Sequence, residues 1–191
     1  MSWENAWKNE GFDIKKEPSQ IALLIEPQIP RNAHVLDLGC GQGRNAFFFA
    51  EKGHAVDAVD IVDLGVGNDF PTITFHHDNV VEKEYPSEFY DACIMARLIQ
   101  YISPSELNLL FQKVYGALKP GAQLGVSFTT NSPILLGKLY SVTTHMHSFS
   151  EIETLLSSNS FRIISHQKTI GQSDIPKVGI VDGFDVRAKK E

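Results

Sequence analysis

The stretch VLDLGCGQG, which runs from Val35 to Gly43, decides how the rest of the chain is interpreted. Its short apolar run ends at alternating glycines, and the segment RNAFFFAEKG that follows carries apolar residues at helical spacing. This order predicts a strand, a tight glycine turn and a helix. Glycine suits the turn because the bend requires positive φ and because a ligand can approach a backbone that lacks Cβ atoms. The start of the helix offers unpaired N–H groups, so we expect the loop to favour a carboxylate or phosphate.

The spacing of the glycines separates the possible ligands. A dinucleotide-binding fold uses G-x-G-x-x-G, but here Arg44 occupies the position of the third glycine. The pattern present is an acid followed by alternating glycines: Asp37, Gly39, Gly41 and Gly43. A second acid, Asp60, ends the apolar run VDAVD. In this arrangement a carboxylate at the end of the second strand can accept both hydroxyls of an adenosine ribose.

The stretch resembles the S-adenosylmethionine (SAM) loop of class I methyltransferases, and the resemblance extends from about Ala33 to Lys189. The extension GCGQGRNAFFFA, with Arg44-Asn45 directly after the glycines, is similar to the tellurite-resistance methyltransferase family in particular. The resemblance implies an α/β fold with one Rossmann-like, doubly wound sheet, mostly parallel with an antiparallel last strand. It implies SAM as the cofactor and S-adenosylhomocysteine as the product. Residues 1–191 then form one domain, with an N-terminal helical segment in 1–32 and the SAM-binding fold in 33–189.

Length and composition agree with one ordinary globular domain. The chain has 191 residues, of which 42% are hydrophobic and 21% charged. No apolar run is long enough to span a bilayer, and the N-terminus lacks a secretory signal, so we expect a cytoplasmic protein without a membrane partner. A net charge of −6 argues against a nucleic-acid substrate. We interpret Cys40 and Cys93 as small core residues, and we expect a monomer or homodimer.

The remaining elements follow from apolar patterns and turn residues. We predict strands at Ala55–Asp60, Thr72–His76, Tyr90–Arg97, Leu124–Phe128, Phe161–His166 and Phe184–Ala188, and helices over 104–118 and from 148 to about 158. Asp182-Gly183 is compatible with a hairpin turn or a bulge. The segment between Asp60 and the third strand is too short for the full helix usual in the family, which predicts a more open adenine side.

The resemblance also supplies a set of cofactor-binding residues. They are Asp37, Gly39, Cys40, Gly41, Gly43, Arg44, Asn45, Asp60, Ile61, Asp78, Asn79, Ala96 and Arg97. Asp78 occupies the place where an acidic or amide side chain accepts the adenine amino group. Next to it, His76 and His77 invite a metal interpretation, but adjacent strand residues point to opposite faces, so we expect no metal site.

Methyl transfer from SAM requires alignment more than acid–base help, so no side chain need be obligatory. The end of the fourth strand is the switch region of the sheet, where ligands bind. Candidates for assistance are therefore Arg97 and Tyr101 there, and His145 and His147 after the fifth strand. Histidine titrates near neutral pH and can deprotonate an acceptor. We also expect the segment 129–147, which has no strong period, to act as a lid over the acceptor pocket.

Three functions are compatible with these observations. The first is a SAM-dependent methyltransferase (EC 2.1.1) acting on a small molecule or an oxyanion of the tellurite type. The second is a catalytically silent SAM-binding module that acts through a partner protein, favoured by the short segment after Asp60. The third is a nucleotide-dependent oxidoreductase, which Arg44 at the glycine position disfavours. The absence of an Asn-Pro-Pro-Tyr string after the fourth strand favours a small or soft acceptor.

Overall fold

The computed structural model describes residues 17–63, 70–131, 143–172 and 180–191. Over these residues the strands are β1 (His34–Leu38), β2 (Ala55–Asp60), β3 (Ile73–His77), β4 (Tyr90–Ala96), β5 (Leu118–Asn131), β6 (Phe161–Gln172) and β7 (Ile180–Lys190). The helices are α1 (Gln20–Ile25), α2 (Arg44–Glu51), α3 (Pro104–Ala117) and α4 (Phe149–Ser158). Short 3-10 turns cover Glu26–Gln28 and Ile99–Tyr101. Among the described residues, no helix is long and apolar enough to cross a membrane.

All seven strands form one sheet in the order β3-β2-β1-β4-β5-β7-β6. The first five strands are parallel, and β7 runs antiparallel between β5 and β6. β1 and β4 are almost completely buried, which explains their continuous apolar sequences, since a parallel strand in the middle of the sheet is covered on both faces. The predicted fold class is therefore confirmed. The order reverses between β1 and β4, which places the switch point beside the glycine turn.

Each face of the sheet has its own apolar core. On one face, α1 and α2 pack through residues such as Ile25 and Phe49 against the β1, β2 and β4 side chains. On the other face, α3 and α4 pack through Phe111 and Leu156 against β5 and β7. Cys93 belongs to this second core and Cys40 to the first, so the two thiols lie on opposite faces of the sheet. The helices thus hold the carboxyl ends of the parallel strands in a fixed arrangement.

Two helix starts carry capping boxes. The Ser103 hydroxyl accepts a hydrogen bond from the Glu106 N–H, while the Glu106 carboxylate accepts from the Ser103 N–H. The same reciprocal pair forms between Ser148 and Glu151 at α4. Such pairs satisfy two N–H groups that a helix end otherwise leaves unpaired. The predicted positions of both helix starts are confirmed.

The last three strands are longer than predicted. β5 begins at Leu118 directly after α3 and includes Lys119-Pro120-Gly121, where Gly121 has a φ of +79° and the pairing with β4 shifts its register between Tyr90 and Ala92. The Asp182-Gly183 pair forms no hairpin turn and lies inside β7, where Gly183 pairs with Thr129 and Thr169. The register shift falls opposite it, on β5 between Thr129 and Asn131.

Three features of the sequence prediction involve residues outside the described ranges. They are the first half of the N-terminal helical segment (1–16), most of the short segment after Asp60 (64–69), and the central part of the expected lid (132–142).

Candidate active site

A pocket of about 210 Å³ opens at the carboxyl ends of β1, β2, β3 and β4. Its lining residues are Gly39, Asp60, Ile61, Asn79, Val80, Val81, Arg97, Leu98, Tyr101, Ile102 and Glu106. Each of the four strand ends contributes at least one of them, since parallel strands end at the same edge of a sheet. The pocket therefore lies where the doubly wound topology places ligands.

Asp60 is the last residue of β2 and contributes a carboxylate to the pocket wall. Its two oxygens accept hydrogen bonds from the Gly41 N–H at 2.8 Å and the Val62 N–H at 3.0 Å. Burial raises the pKa of this carboxyl group, and hydrogen bonds from the Val62 and Gly41 N–H groups oppose the rise. A carboxylate oxygen can accept more than one hydrogen bond. Asp60 can thus accept from a ligand hydroxyl while it remains tied to the glycine loop.

Most N–H groups of the glycine loop donate hydrogen bonds to other groups of the protein. Those of Gly39 and Cys40 donate to the Val59 carbonyl at 2.8 and 3.2 Å. The Gly41 N–H donates to the Asp60 carboxylate, and the Gly43 N–H donates to the carbonyl of Cys40 at 2.9 Å. These four donors are not available to a phosphate or carboxylate ligand. The expectation that the loop favours an anion therefore depends on the N–H groups at the start of α2 and stays a prediction.

Gly39 shows why the first position of the loop lacks a side chain. Its φ is +70°, and a Cβ built there would lie 2.9 Å from Leu98 Cδ1. A side chain at this position would enter the space where β1 meets the turn after β4. The absence of that side chain lets Leu98 pack directly against the Gly39 backbone, and both residues line the pocket.

Asp37 lies behind the loop and is 1% exposed. Burial raises the pKa of its carboxyl group to about 7, and the positive charge of Arg44 opposes the rise. Asn45 and the Ala46 N–H also face this carboxylate, although neither carboxylate oxygen has a partner at full hydrogen-bond geometry among the described residues. Asp37 is thus a buried acid that titrates near neutral pH. Asn45 itself is buried and accepts from the Ser19 N–H at 2.9 Å, which ties α1 to α2.

The two residues after β3 have different environments. Asp78 is exposed and pairs with Lys83 at 2.6 Å, and this hydrogen bond lowers the pKa of the carboxyl group. Asp78 does not belong to the pocket lining, whereas Asn79 does. The Asn79 Oδ1 accepts from the Val81 N–H at 2.9 Å and so fixes the turn that presents Val80 and Val81. The preceding histidines bind separate partners: His76 Nε2 contacts Asp57 Oδ1 at 3.0 Å, and His77 Nε2 contacts the Ile61 carbonyl at 2.8 Å.

Arg97 and Tyr101 both line the pocket after β4. Arg97 follows Ala96, the last residue of the strand, and has a φ of +61°, which is uncommon for a residue with a side chain. Its N–H donates to the Ser127 carbonyl at 2.8 Å, and its Nη1 donates to Thr129 Oγ1 at 3.2 Å. These two contacts with β5 hold the guanidinium group at the border of the pocket.

The two predicted catalytic histidines lie beside the pocket and not in its lining. The His145 N–H donates to the Gln100 carbonyl at 2.7 Å. His147 is buried, and its Nε2 contacts the Ile99 carbonyl at 3.3 Å. Burial lowers the pKa of His147, and the hydrogen bond to Ile99 opposes this. Both histidines therefore contact the 3-10 turn that leads into Tyr101.

Several other proposed cofactor residues lie in the glycine loop, at the start of α2 or at the end of β4. Cys40, Gly41, Gly43, Arg44, Asn45 and Ala96 are not part of the pocket lining. Burial raises the pKa of the Cys40 thiol, so this cysteine stays protonated. Conversely, sequence reasoning did not select four lining residues: Val80, Val81, Ile102 and Glu106. The apolar pair after Asn79 is a usable signal in the sequence, whereas the pattern Ser103 to Glu106 indicates only a capping box.

The fold and the pocket together define a class of protein. The sheet order, the antiparallel seventh strand and the acid-tipped second strand are those of the class I methyltransferase fold. Residues 35–121 match the family described as "Methyltransferase domain". This segment therefore resembles a methyltransferase domain, and the chain has the class I methyltransferase fold.

Two curated relatives match this chain over only part of their own length. Phosphoethanolamine N-methyltransferase of Plasmodium falciparum (isolate 3D7) is 29% identical over 130 residues, with 63% of this chain and 46% of the relative covered. Arsenite methyltransferase of Mus musculus is 31% identical over 122 residues, with 53% and 32% covered. This chain thus spans less than half the length of the curated relatives it matches.

A solved structure with the same fold superposes on a larger share of this chain. The 1,6-didemethyltoxoflavin-N1-methyltransferase of Burkholderia thailandensis, in complex with 1,6-didemethyltoxoflavin and S-adenosylhomocysteine, superposes with a TM-score of 0.75 at 19% identity. The superposition covers 97% of this chain and 81% of that one. The cofactor product bound there is the one that the sequence resemblance implies for this chain.

Proposed function

We propose that this chain binds SAM and transfers its methyl group to a small-molecule acceptor. The single observation that carries the proposal is the position of the Asp60 carboxylate, which lines one pocket together with Gly39 and Arg97. An acid at the end of β2 is the acceptor that ribose hydroxyls require. The apolar lining residues suit an adenine ring, since a ligand pocket is mostly apolar with few placed polar groups.

The residues present fit this cofactor. Asp60 would hold the ribose, Ile61 and Val80 would contact the base, and Asn79 would border it. The committed loop N–H groups do not favour a pyrophosphate, which supports an adenosine ligand without phosphates over a dinucleotide. Asp37 offers a buried carboxylate behind the loop that a positive charge would stabilise in its ionised form.

When bound, SAM supplies a methyl group that is already activated by the positively charged sulfur. The chain then has to orient the acceptor and exclude water. Leu98 and Ile102 are apolar and lie on the side of the pocket next to Arg97, so they shield this region from solvent. Alignment of this kind is worth several kcal/mol, on the order of 7 to 11 in well-oriented systems. The pocket therefore needs no obligatory general base.

The finer assignment concerns the acceptor. The resemblance at Arg44-Asn45 supports oxyanions of the tellurite type, and the names of the two curated relatives support small polar acceptors. We propose a small polar molecule as the acceptor class, with oxyanions as a first set to be tested. The alternative of a silent SAM-binding module predicts the same cofactor affinity without turnover.

Calorimetry followed by a turnover assay tests this function. SAM and S-adenosylhomocysteine should bind with dissociation constants in the micromolar range, and NAD should not bind. Formation of S-adenosylhomocysteine should then depend on an added acceptor. Comparable heat with NAD, or none with SAM, would overturn the cofactor assignment. Cofactor binding without acceptor-dependent turnover across oxyanions, amines and thiols would favour the silent module.

A further inference from the structure

Arg97 is the one cationic side chain among the residues that line the described pocket. The other charged lining residues are acids, Asp60 and Glu106, and both have donors within their own part of the fold. Asp60 accepts from two backbone N–H groups. Glu106 is engaged by the N–H and hydroxyl of Ser103 in the capping box of α3. Neither acid forms an ion pair with Arg97.

The guanidinium group of Arg97 is held in place by a neutral partner. Its Nη1 donates to the hydroxyl of Thr129, which is 6% exposed and belongs to β5. No carboxylate among the described residues lies within ion-pair distance of it. A guanidinium group has five N–H donors in a fixed planar fork, and one bond to Thr129 leaves the others available.

The backbone supports the same conclusion. Arg97 has a left-handed φ of +61°, and the surrounding sheet maintains it through the hydrogen bond between the Arg97 N–H and the Ser127 carbonyl. Residues with side chains are held in this region where the surrounding structure determines them, and such residues are concentrated at functional sites. The conformation turns the chain away from β4 at the point where its side chain reaches β5.

We propose that the Arg97 side chain binds an anionic group of the methyl acceptor, either a carboxylate or a phosphate-like oxyanion. The proposal deepens the proposed function and depends on it. A planar fork of donors matches the two oxygens of such a group and forms shorter, stronger hydrogen bonds with it than with a neutral acceptor. The chain carries a net charge of −6, so an anion is repelled by the protein as a whole and requires a local cation to bind.

Inorganic phosphate is a direct probe of this site. We would titrate it, at constant ionic strength, into protein labelled at the arginine Nε positions and saturated with S-adenosylhomocysteine. Arg97→Met identifies the Arg97 signal and retains the aliphatic part of the side chain. We expect a saturable shift of that signal, and phosphate affinity at least about tenfold weaker in Arg97→Met, with Arg97→Lys in between. The matched control is Arg162→Met, because Arg162 on β6 is exposed and forms an ion pair with Glu191.

Equal phosphate affinity in wild-type protein and Arg97→Met would overturn the proposal. A non-saturating shift of Arg97 similar to that of Arg162 would do so as well. The outcome is separate from the proposed function, which fails if calorimetry shows no SAM binding, whatever the result of the phosphate titration.

A comparison of turnover with phosphoethanolamine and with ethanolamine is a second test. If the anionic compound is methylated, its KM at saturating SAM should rise at least about tenfold in Arg97→Met. Faster methylation of ethanolamine than of phosphoethanolamine would contradict the proposal that Arg97 binds an anionic group of the acceptor.

Discussion

Gly183 on β7 lies directly against the backbone of Phe128 on β5. A Cβ built at Gly183 would stand 2.2 Å from the Phe128 carbonyl oxygen and 3.3 Å from Thr169 Oγ1. Real Cβ atoms do not approach a carbonyl oxygen this closely, so glycine is required here for steric reasons. The close approach coincides with the register shift on β5 next to Thr129, the residue that holds Arg97. The strand junction and the pocket are therefore connected.

Gly183→Ala should destabilise the fold by about 2 to 3 kcal/mol, because the two strands must separate to accommodate the methyl group. The measurement is the midpoint and slope of urea denaturation. Gly116→Ala is a matched control: Gly116 lies in α3 and a Cβ there has no neighbour within 4 Å. That change should be neutral or stabilise by up to about 1 kcal/mol. Similar stability of Gly183→Ala and wild-type protein would contradict the geometry.

Asp60→Ala should weaken SAM binding more than Asp78→Ala. Asp60 lines the pocket, whereas Asp78 is exposed and paired with Lys83. Charged hydrogen bonds contribute roughly 1.5 to 3 kcal/mol each, and about 1.4 kcal/mol is tenfold in affinity, so a loss on the order of 10- to 100-fold is expected. Calorimetry with both folded variants gives the comparison. An unchanged dissociation constant for Asp60→Ala would show that Asp60 is not the carboxylate that binds the ribose hydroxyls.

Asp37→Asn should stabilise the ligand-free protein at alkaline pH. A carboxyl group whose pKa is raised on folding contributes stability below its unfolded pKa of 3.8 and loses it as the pH rises through its folded value of about 7. The variant lacks this penalty, so at pH 8 it should gain up to about 4 kcal/mol, with the gain shrinking toward pH 4. Thermal or urea denaturation at several pH values measures this. Glu153→Gln is the control variant, because it removes an exposed carboxyl group from α4.

Replacing both His145 and His147 with alanine should lower turnover and leave the SAM dissociation constant within about threefold. Both residues contact the turn before Tyr101 and lie outside the pocket lining. Burial lowers the pKa of His147 from 6.5, so its stabilising contribution is present above that pH and is lost as the pH falls. The single variant His145→Ala separates the two residues. Full activity in the double variant would remove both from the acceptor site.

The local pattern around the glycines predicted more than any other part of the chain. Strand β1, the turn, helix α2 and the acid at the end of β2 follow from residue types whose conformations are restricted on their own. The environment of Asp78 could not be predicted in this way, because its partner Lys83 is brought to it by the turn at Asn79. Glu106 likewise lines the pocket only because α3 starts beside Ile102. Contacts set by packing between elements leave no periodic signal in the sequence.

The hydrogen bonds of the glycine loop have a consequence for binding kinetics. Four of its N–H groups are already bonded within the protein, and a Cβ at Gly43 would lie 3.1 Å from both Phe47 and Phe75. A loop held this way is preorganised, because its hydrogen bonds and its packing are formed without a ligand. Ordering a mobile interface costs about 0.5 to 1.5 kcal/mol for each immobilised side chain, and this loop avoids that cost. Association with the pocket is then not delayed by folding of the loop that borders it at Gly39.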